Sequence, residues 1–115
     1  MTNYAEGHYA ETVAAAFLKR QKYKVIALNW KTPACEVDII ARRKRGPVTF
    51  FEVKYRKTTT QGTGLDYITP RKLEQMAFAA QIWVAENHYS GEYTLGAIEL
   101  GGQDFAVTGF LESVI

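Results

Sequence analysis

Two short stretches carry acids and a lysine where a chain would normally place apolar residues. Glu36 and Asp38 interrupt the run EVDIIAR, and Glu52, Lys54 and Arg56 interrupt VTFFEVKYR. Both runs are rich in Val, Ile and Phe, which favours strands. Side chains alternate between the faces of a strand, so Glu36 and Asp38 should project together, as should Glu52, Lys54 and Arg56. Charged groups on such strands are costly unless they are paired or bind something. Three carboxylates with an ammonium make a hard-oxygen site suited to Mg²⁺ or Mn²⁺, and the Val53 carbonyl lies between Glu52 and Lys54 as a further oxygen. Spacing alone leaves a second reading open. The same residues on a solvated hairpin would form cross-strand ion pairs contributing about 0.2–1 kcal/mol each.

The surrounding elements must set these rows side by side. The linker Arg43 to Pro47 is short and polar and contains Gly46-Pro47, so the two strands should pair as an antiparallel hairpin. Upstream, Ala10, Val13, Ala14, Phe17 and Leu18 form an apolar stripe at helical spacing, predicting a helix over about residues 4–20. Glu11 sits at the edge of that stripe, between core and solvent. Tyr23 to Leu28 reads as a strand. Thr69 is a suitable N-cap and Pro70 a suitable first residue for a second helix, whose stripe is Leu73, Met76, Ala77, Ala80 and Trp83, ending near Asn87. Strands at about 93–100 and 105–108 follow, separated by Gly101-Gly102-Gln103-Asp104. The order is α-β-β-β-α-β-β, an α/β domain. The two central strands are apolar on both faces, so the sheet should be covered on both sides.

At 115 residues the chain suits a single domain, 1–115. It is 47% hydrophobic and 23% charged, which argues against disorder. No apolar run is long enough to span a membrane, and the N-terminus lacks the basic and apolar stretches of a secretory signal. Cys35 is the only cysteine, so no internal disulfide forms and a cytoplasmic setting is expected. The net charge of +2 decides little. Its distribution says more, because Arg42, Arg43, Lys44 and Arg45 form one basic block and Lys54, Arg56 and Lys57 another. Such blocks suit either a polyanion or two solvated turns.

Several separate stretches carry a family resemblance: GHYAETVAAAFL, EVDIIA, FFEVKYR and ITPRKLEQMAFAAQIW, in that order from Gly7 to Trp83. They resemble the YraN-type family, which is similar to Holliday-junction resolvases of the PD-(D/E)xK nuclease superfamily. The resemblance implies a restriction-endonuclease-like mixed sheet flanked by helices, and a metal-dependent endonuclease acting on branched or structured DNA. It further implies that Asp38 and Glu52 are acidic metal ligands and that Lys54 is the catalytic lysine. Glu11 becomes the helix glutamate that helps hold the metal or its water, Glu36 a member of the acidic motif, and Lys72 a helix lysine placed for a phosphate. Arg42 to Arg45, Arg56, Lys57 and the polar segment Thr58 to Gly64 would flank the DNA. Two departures stand out. Cys35 replaces the glycine usual before Glu36, and Tyr93-Thr94-Leu95 stands where Arg-Phe-Asp is expected.

Other candidates carry less. His8 precedes Glu11 by one helical step and reads as a surface histidine, and His88 suits a helix C-terminus. Cys35 lacks a histidine partner at motif spacing. Trp83 belongs to the core stripe, while Trp30, beside Lys31, remains available to stack a base. Besides the nuclease, the chain is compatible with a nuclease-fold module that binds nucleic acid with little cutting, or with an interaction protein whose acids are merely solvated. No small-molecule cofactor is expected. Resolvase-like proteins usually pair, so a homodimer through the late strands and the tail Phe110 to Ile115 is a further expectation.

Overall fold

The computed structural model describes residues 4–58 and 67–114. Helix α1 spans Tyr4–Arg20, followed by strands β1 (Tyr23–Thr32), β2 (Cys35–Arg43) and β3 (Val48–Arg56), helix α2 (Pro70–Glu86), and strands β4 (Tyr93–Gly101) and β5 (Ala106–Leu111). The five strands form one sheet in chain order. Its pairings are antiparallel except β3 with β4, which run parallel. The expected α/β order and mixed sheet are therefore present. Among the described residues no helix is long and apolar enough to cross a membrane.

The two-sided apolar pattern of β2 and β3 has a direct cause in the packing. On one face α1 lays Ala10, Ala14 and Leu18 against Ile39, Ala41, Phe51, Tyr55, Ile98 and Leu100. On the other, α2 lays Met76, Ala79, Ala80 and Trp83 against Val37, Ile40, Val48, Phe50 and Leu95. The small alanines let both helices approach the sheet closely. Trp83 meets Phe50 edge-on with ring centroids 5.5 Å apart, in the core as expected. Trp30 also packs against this cluster and is partly buried, so it is a core residue rather than a free stacking surface. Gly96 is required where it stands, since a Cβ there would come within 2.6 Å of the Phe51 ring.

Two strand boundaries differ from expectation. β1 continues past Leu28 to Thr32, although Asn29 and Lys31 are poor strand formers. The extension follows from its turn: Thr32 Oγ1 accepts from the amides of Ala34 (3.1 Å) and Cys35 (3.2 Å), closing a hairpin with β2. β5 begins at Ala106 and runs to Leu111, beyond the expected Thr108, because its pairing with β4 extends to Ala97↔Leu111. The second helix starts as expected, with the Thr69 side chain accepting from the Lys72 amide at 3.1 Å and Pro70 in the first turn.

Candidate functional site

The site forms where β2 and β3 part. Their ladder runs from Arg42↔Val48 to Ile39↔Phe51 and then stops. One residue further, the Val53 amide donates to Asp38 Oδ2 at 2.8 Å. A carboxylate thus takes the donor that a β2 carbonyl would otherwise have received. An extended residue presents its N–H and C=O to the same neighbouring strand, so the Val53 carbonyl faces this gap as well.

Strict alternation does not persist through Asp38. Val37 packs with the α2 cluster, yet Ile39, two residues on, packs with the α1 cluster. Across the hairpin, Leu28 pairs with Ile39 and Trp30 with Val37, which leaves Asn29 opposite Asp38. Asn29 has φ 52°, a left-handed conformation that asparagine tolerates better than most residues. The two-residue period is therefore broken between Val37 and Ile39, while Glu36 and Asp38 still line one cleft together. Glu36 is exposed, at the junction of two open clefts. One is shared with Asp38, Glu11, Asn29 and His8, the other with Glu52 and Lys72.

The carboxylates influence one another strongly. Burial, then the charge of Glu52, pushes Asp38 up to about 8, with Glu11 adding to the rise and the Val53 amide opposing it. Burial also raises Glu52, while Lys72 and then Lys54 pull it down and Glu36 raises it. Glu11 Oε1 is buried and has no hydrogen-bond partner among the described residues; His8 Nδ1 is 3.5 Å away. Among the described residues no three His, Cys, Asp or Glu side chains converge as a ready-made ligand set. What is present is a pair of electrostatically coupled acids with Glu11 beside one of them. Mg²⁺ fits such a site, because it commonly uses one or two carboxylates and keeps several waters. Two buried acids that resist ionisation and an orphaned carboxylate oxygen are also what a cation would relieve.

Lys72 lies closer to the acids than a phosphate-binding role alone requires. Its Nζ is 3.1 Å from Glu52 Oε2. Arg71 and Lys72 occupy the first turn of α2, where no acid is present and the helix dipole disfavours cations. The Glu52 carboxylate offsets that. Lys54 is exposed on the same strand, within electrostatic reach of Glu52.

The remaining basic residues do not gather here. Arg56 Nε bonds Glu99 Oε2 at 2.8 Å, with side chains only 17% and 4% exposed, so it is tied into the fold. Lys57 pairs with Glu6 at 2.9 Å. Arg42 donates to the Gly46 carbonyl at 2.8 Å, and Arg43 donates to the Gln21 carbonyl at 2.8 Å, ion-pairs with Glu112 and lies over the Tyr23 ring. Lys44 and Arg45 stand exposed at the β2–β3 turn, at the opposite end of the hairpin from Asp38. Arg42 is thus four residues along β2 from Asp38, roughly 14 Å at about 3.4 Å per residue, and the rest of the block lies further still. Of the segment Thr58 to Gly64, residues 59–64 lie outside the described residues, as does Ile115 of the tail.

Sequence reasoning missed three residues. Glu99 sits inside the apolar run TLGAIELG, the same kind of signal that drew attention to Asp38 and Glu52. It is 3% exposed and holds Arg56 and the Thr108 hydroxyl, the latter at 2.9 Å. Asn29 matters through its backbone angle, which composition does not announce. Tyr67 has a buried hydroxyl with no hydrogen-bond partner among the described residues, and burial together with Glu52, Glu99 and Asp38 raises its pKa. It follows a polar stretch that gives no hint of burial.

Comparison with known proteins places this arrangement in a family. Residues 10–100 match the model of the "Uncharacterised protein family UPF0102". The chain belongs to the UPF0102 family. The matched span takes in Glu11, Asp38, Glu52, Lys54, Lys72 and Glu99. A UPF0102 protein of Trichlorobacter lovleyi is 34% identical over 85 residues, covering 74% of this chain and 67% of that one. A second, from Rhodopseudomonas palustris, is 36% identical over 92 residues, covering 80% and 68%. A third, from Deinococcus radiodurans, is 37% identical over 75 residues, covering 65% and 61%. The aligned part thus spans about two thirds of these UPF0102 relatives, and the membership agrees with the YraN-type resemblance.

Proposed function

We propose that this UPF0102 protein is a metal-dependent endonuclease that hydrolyses phosphodiester bonds in branched or structured DNA. The single observation that carries the reading is the coupled pair Asp38 and Glu52 at the parting of β2 and β3, with Lys54 on the same strand and Glu11 reaching in from α1. Asp38 and Glu52 would hold one Mg²⁺ or Mn²⁺, with the Val53 carbonyl facing the same gap and Glu36 at its outer edge. When bound, the ion supplies Lewis-acid polarisation of a phosphoryl oxygen and lowers the pKa of a water.

The chain's own groups account for the rest. Glu11 Oε1, buried without a hydrogen-bond partner among the described residues, is an acceptor for the attacking water. The water oxygen bonds to phosphorus as one of its protons passes by way of Glu11 to solvent, while the bond to the leaving oxygen breaks and the leaving oxygen takes a proton from solvent. Lys54, on the strand of Glu52, has the role of stabilising charge on the reacting phosphoryl group. Lys72, released from Glu52 by a bound cation, would be free to contact a phosphate.

A second reading, a nucleic-acid-binding module that cuts little, is favoured by the Lys72–Glu52 ion pair and by the absence of a three-acid cluster among the described residues. One experiment separates the two. Wild type and Lys54→Ala are incubated with labelled junction, flap, single-stranded and duplex DNA, with and without Mn²⁺. Ion-dependent cutting that Lys54→Ala loses by about a hundredfold or more is expected. Equal cutting by both proteins would overturn the catalytic assignment, and binding without cutting would leave the second reading.

A further inference from the structure

The net charge of +2 conceals a concentration of cations at one end of the sheet. Eight of the 14 lysines and arginines fall in two segments, four between Lys19 and Lys24 and four between Arg42 and Arg45. β1 pairs with β2 through Tyr23↔Arg43 and Lys24↔Arg42, so the two segments lie side by side at the hairpin end. The acids of the candidate site lie at the other end. Lys24 and Arg42 face one another directly across the strands, where like charges destabilise a sheet. An open groove of about 1020 Å³ is lined there by Lys22, Lys24, Arg42, Arg43, Lys44 and Arg45.

Some of these cations hold the fold together. Arg43 is bound by Gln21 and Glu112, and Arg42 by Gly46. Lys22, Lys24, Lys44 and Arg45 are exposed, and none of the four forms an ion pair among the described residues. Lys22 and Arg45 also have left-handed φ angles of 73° and 65°, at which glycine or asparagine would cost less. Folding therefore does not require cations at these positions, and local geometry penalises them.

We propose that this groove binds the phosphate backbone of a DNA duplex, as a contact surface separate from the carboxylate site. Two adjacent rows of cations on paired strands fit a linear polyanion, whose affinity comes from phosphate neutralisation. The inference takes from the proposed function only its substrate class. Grip and chemistry would then be divided between the two ends of one hairpin. From Lys44 to Asp38 the strand spans roughly 20 Å at about 3.4 Å per residue. The bound duplex must therefore extend about six base pairs beyond the phosphate at the acids, at about 3.4 Å per step.

The test is fluorescence anisotropy of the full chain with a labelled 20-base-pair duplex (about two helical turns) in metal-free buffer over a salt series. The variant Lys22→Gly/Lys24→Ala/Lys44→Ala/Arg45→Gly should bind at least about tenfold more weakly, its log–log salt slope falling by about 0.9 per lost contact. The two-site variant Lys44→Ala/Arg45→Gly, confined to the turn, should show part of the same loss with an unchanged melting temperature. The measurement needs neither metal nor cutting, so failure of the nuclease reading leaves this result intact. Unchanged duplex affinity and slope in the four-site variant would overturn the proposal. So would a loss confined to binding of anionic phospholipid vesicles.

Discussion

The Val53 main-chain amide donates to Asp38 Oδ2 at 2.8 Å immediately beyond the last β2–β3 pair. This bond favours the ionised form of the carboxylate, and burial with Glu52 and Glu11 outweighs it. Asp38 is therefore held near 8, against 3.8 for an ordinary aspartate.

The sign of the pH dependence follows. Between these two values the folded chain keeps a proton that the unfolded chain has lost, so stability is greatest in acid and declines as pH rises from about 4 to 8. Melts in metal-free buffer at pH 5 and pH 8.5 should show wild type losing a few kcal/mol, in order of magnitude. Asp38→Asn, which keeps an acceptor for the Val53 amide, should be flatter and more stable than wild type at the higher pH. Mn²⁺ should restore wild type at pH 8.5 and leave Asp38→Asn unmoved.

Lys72 acts at present as a counter-ion for Glu52. Lys72→Ala should lower metal-free stability at pH 8 by about 1 kcal/mol, since the pair is partly exposed. It should also tighten Mn²⁺ binding, because the cation no longer competes with an ammonium. Titration calorimetry of both proteins checks this, and weaker Mn²⁺ binding would contradict it.

Arg56 and Glu99 form a different kind of pair, nearly closed off from solvent. Arg56→Ala leaves an uncompensated buried carboxylate, and urea unfolding should show a loss of about 3–5 kcal/mol. Replacing both partners, as Arg56→Met/Glu99→Leu, should recover most of it. A variant Arg56→Ala of full stability but weakened DNA binding would reassign the residue to the substrate.

Asn29 should tolerate glycine and resist β-branched residues. At φ 52° Asn29→Gly is expected to stay within about 0.5 kcal/mol of wild type, while Asn29→Val should cost about 1–3 kcal/mol. If the bend at Asn29 is what aims Asp38, Asn29→Val should also weaken Mn²⁺ binding, as read by titration.

The elements were legible because their signals are local and physical. The alanine-rich stripe of α1, the Thr69-Pro70 start of α2 and the apolar runs of β2 and β3 each state their own structure. The two-sided pattern of the central strands announced helices on both faces. What alternation could not supply was the switch of faces between Val37 and Ile39, which flank Asp38 opposite the left-handed Asn29. Nor could it show that Lys72 returns to Glu52, a contact that depends on how α2 docks. The basic block at Arg42 to Arg45 was visible as charge, but its distance from the acids and its neighbours Lys22 and Lys24 emerge only from strand pairing.

The parallel step from β3 to β4, bridged by α2, has a consequence for how the chain assembles. Glu11, Asp38 and Glu52 all belong to the segment before that crossover, which neighbouring hairpins can close early. Lys72, which neutralises Glu52, and Trp83, which covers Phe50, arrive only afterwards, through the slower long-range pairing. A growing chain must therefore carry its acids without their counter-ion and one sheet face without its lid until the crossover docks. That interval is when aggregation and proteolysis would find it most vulnerable.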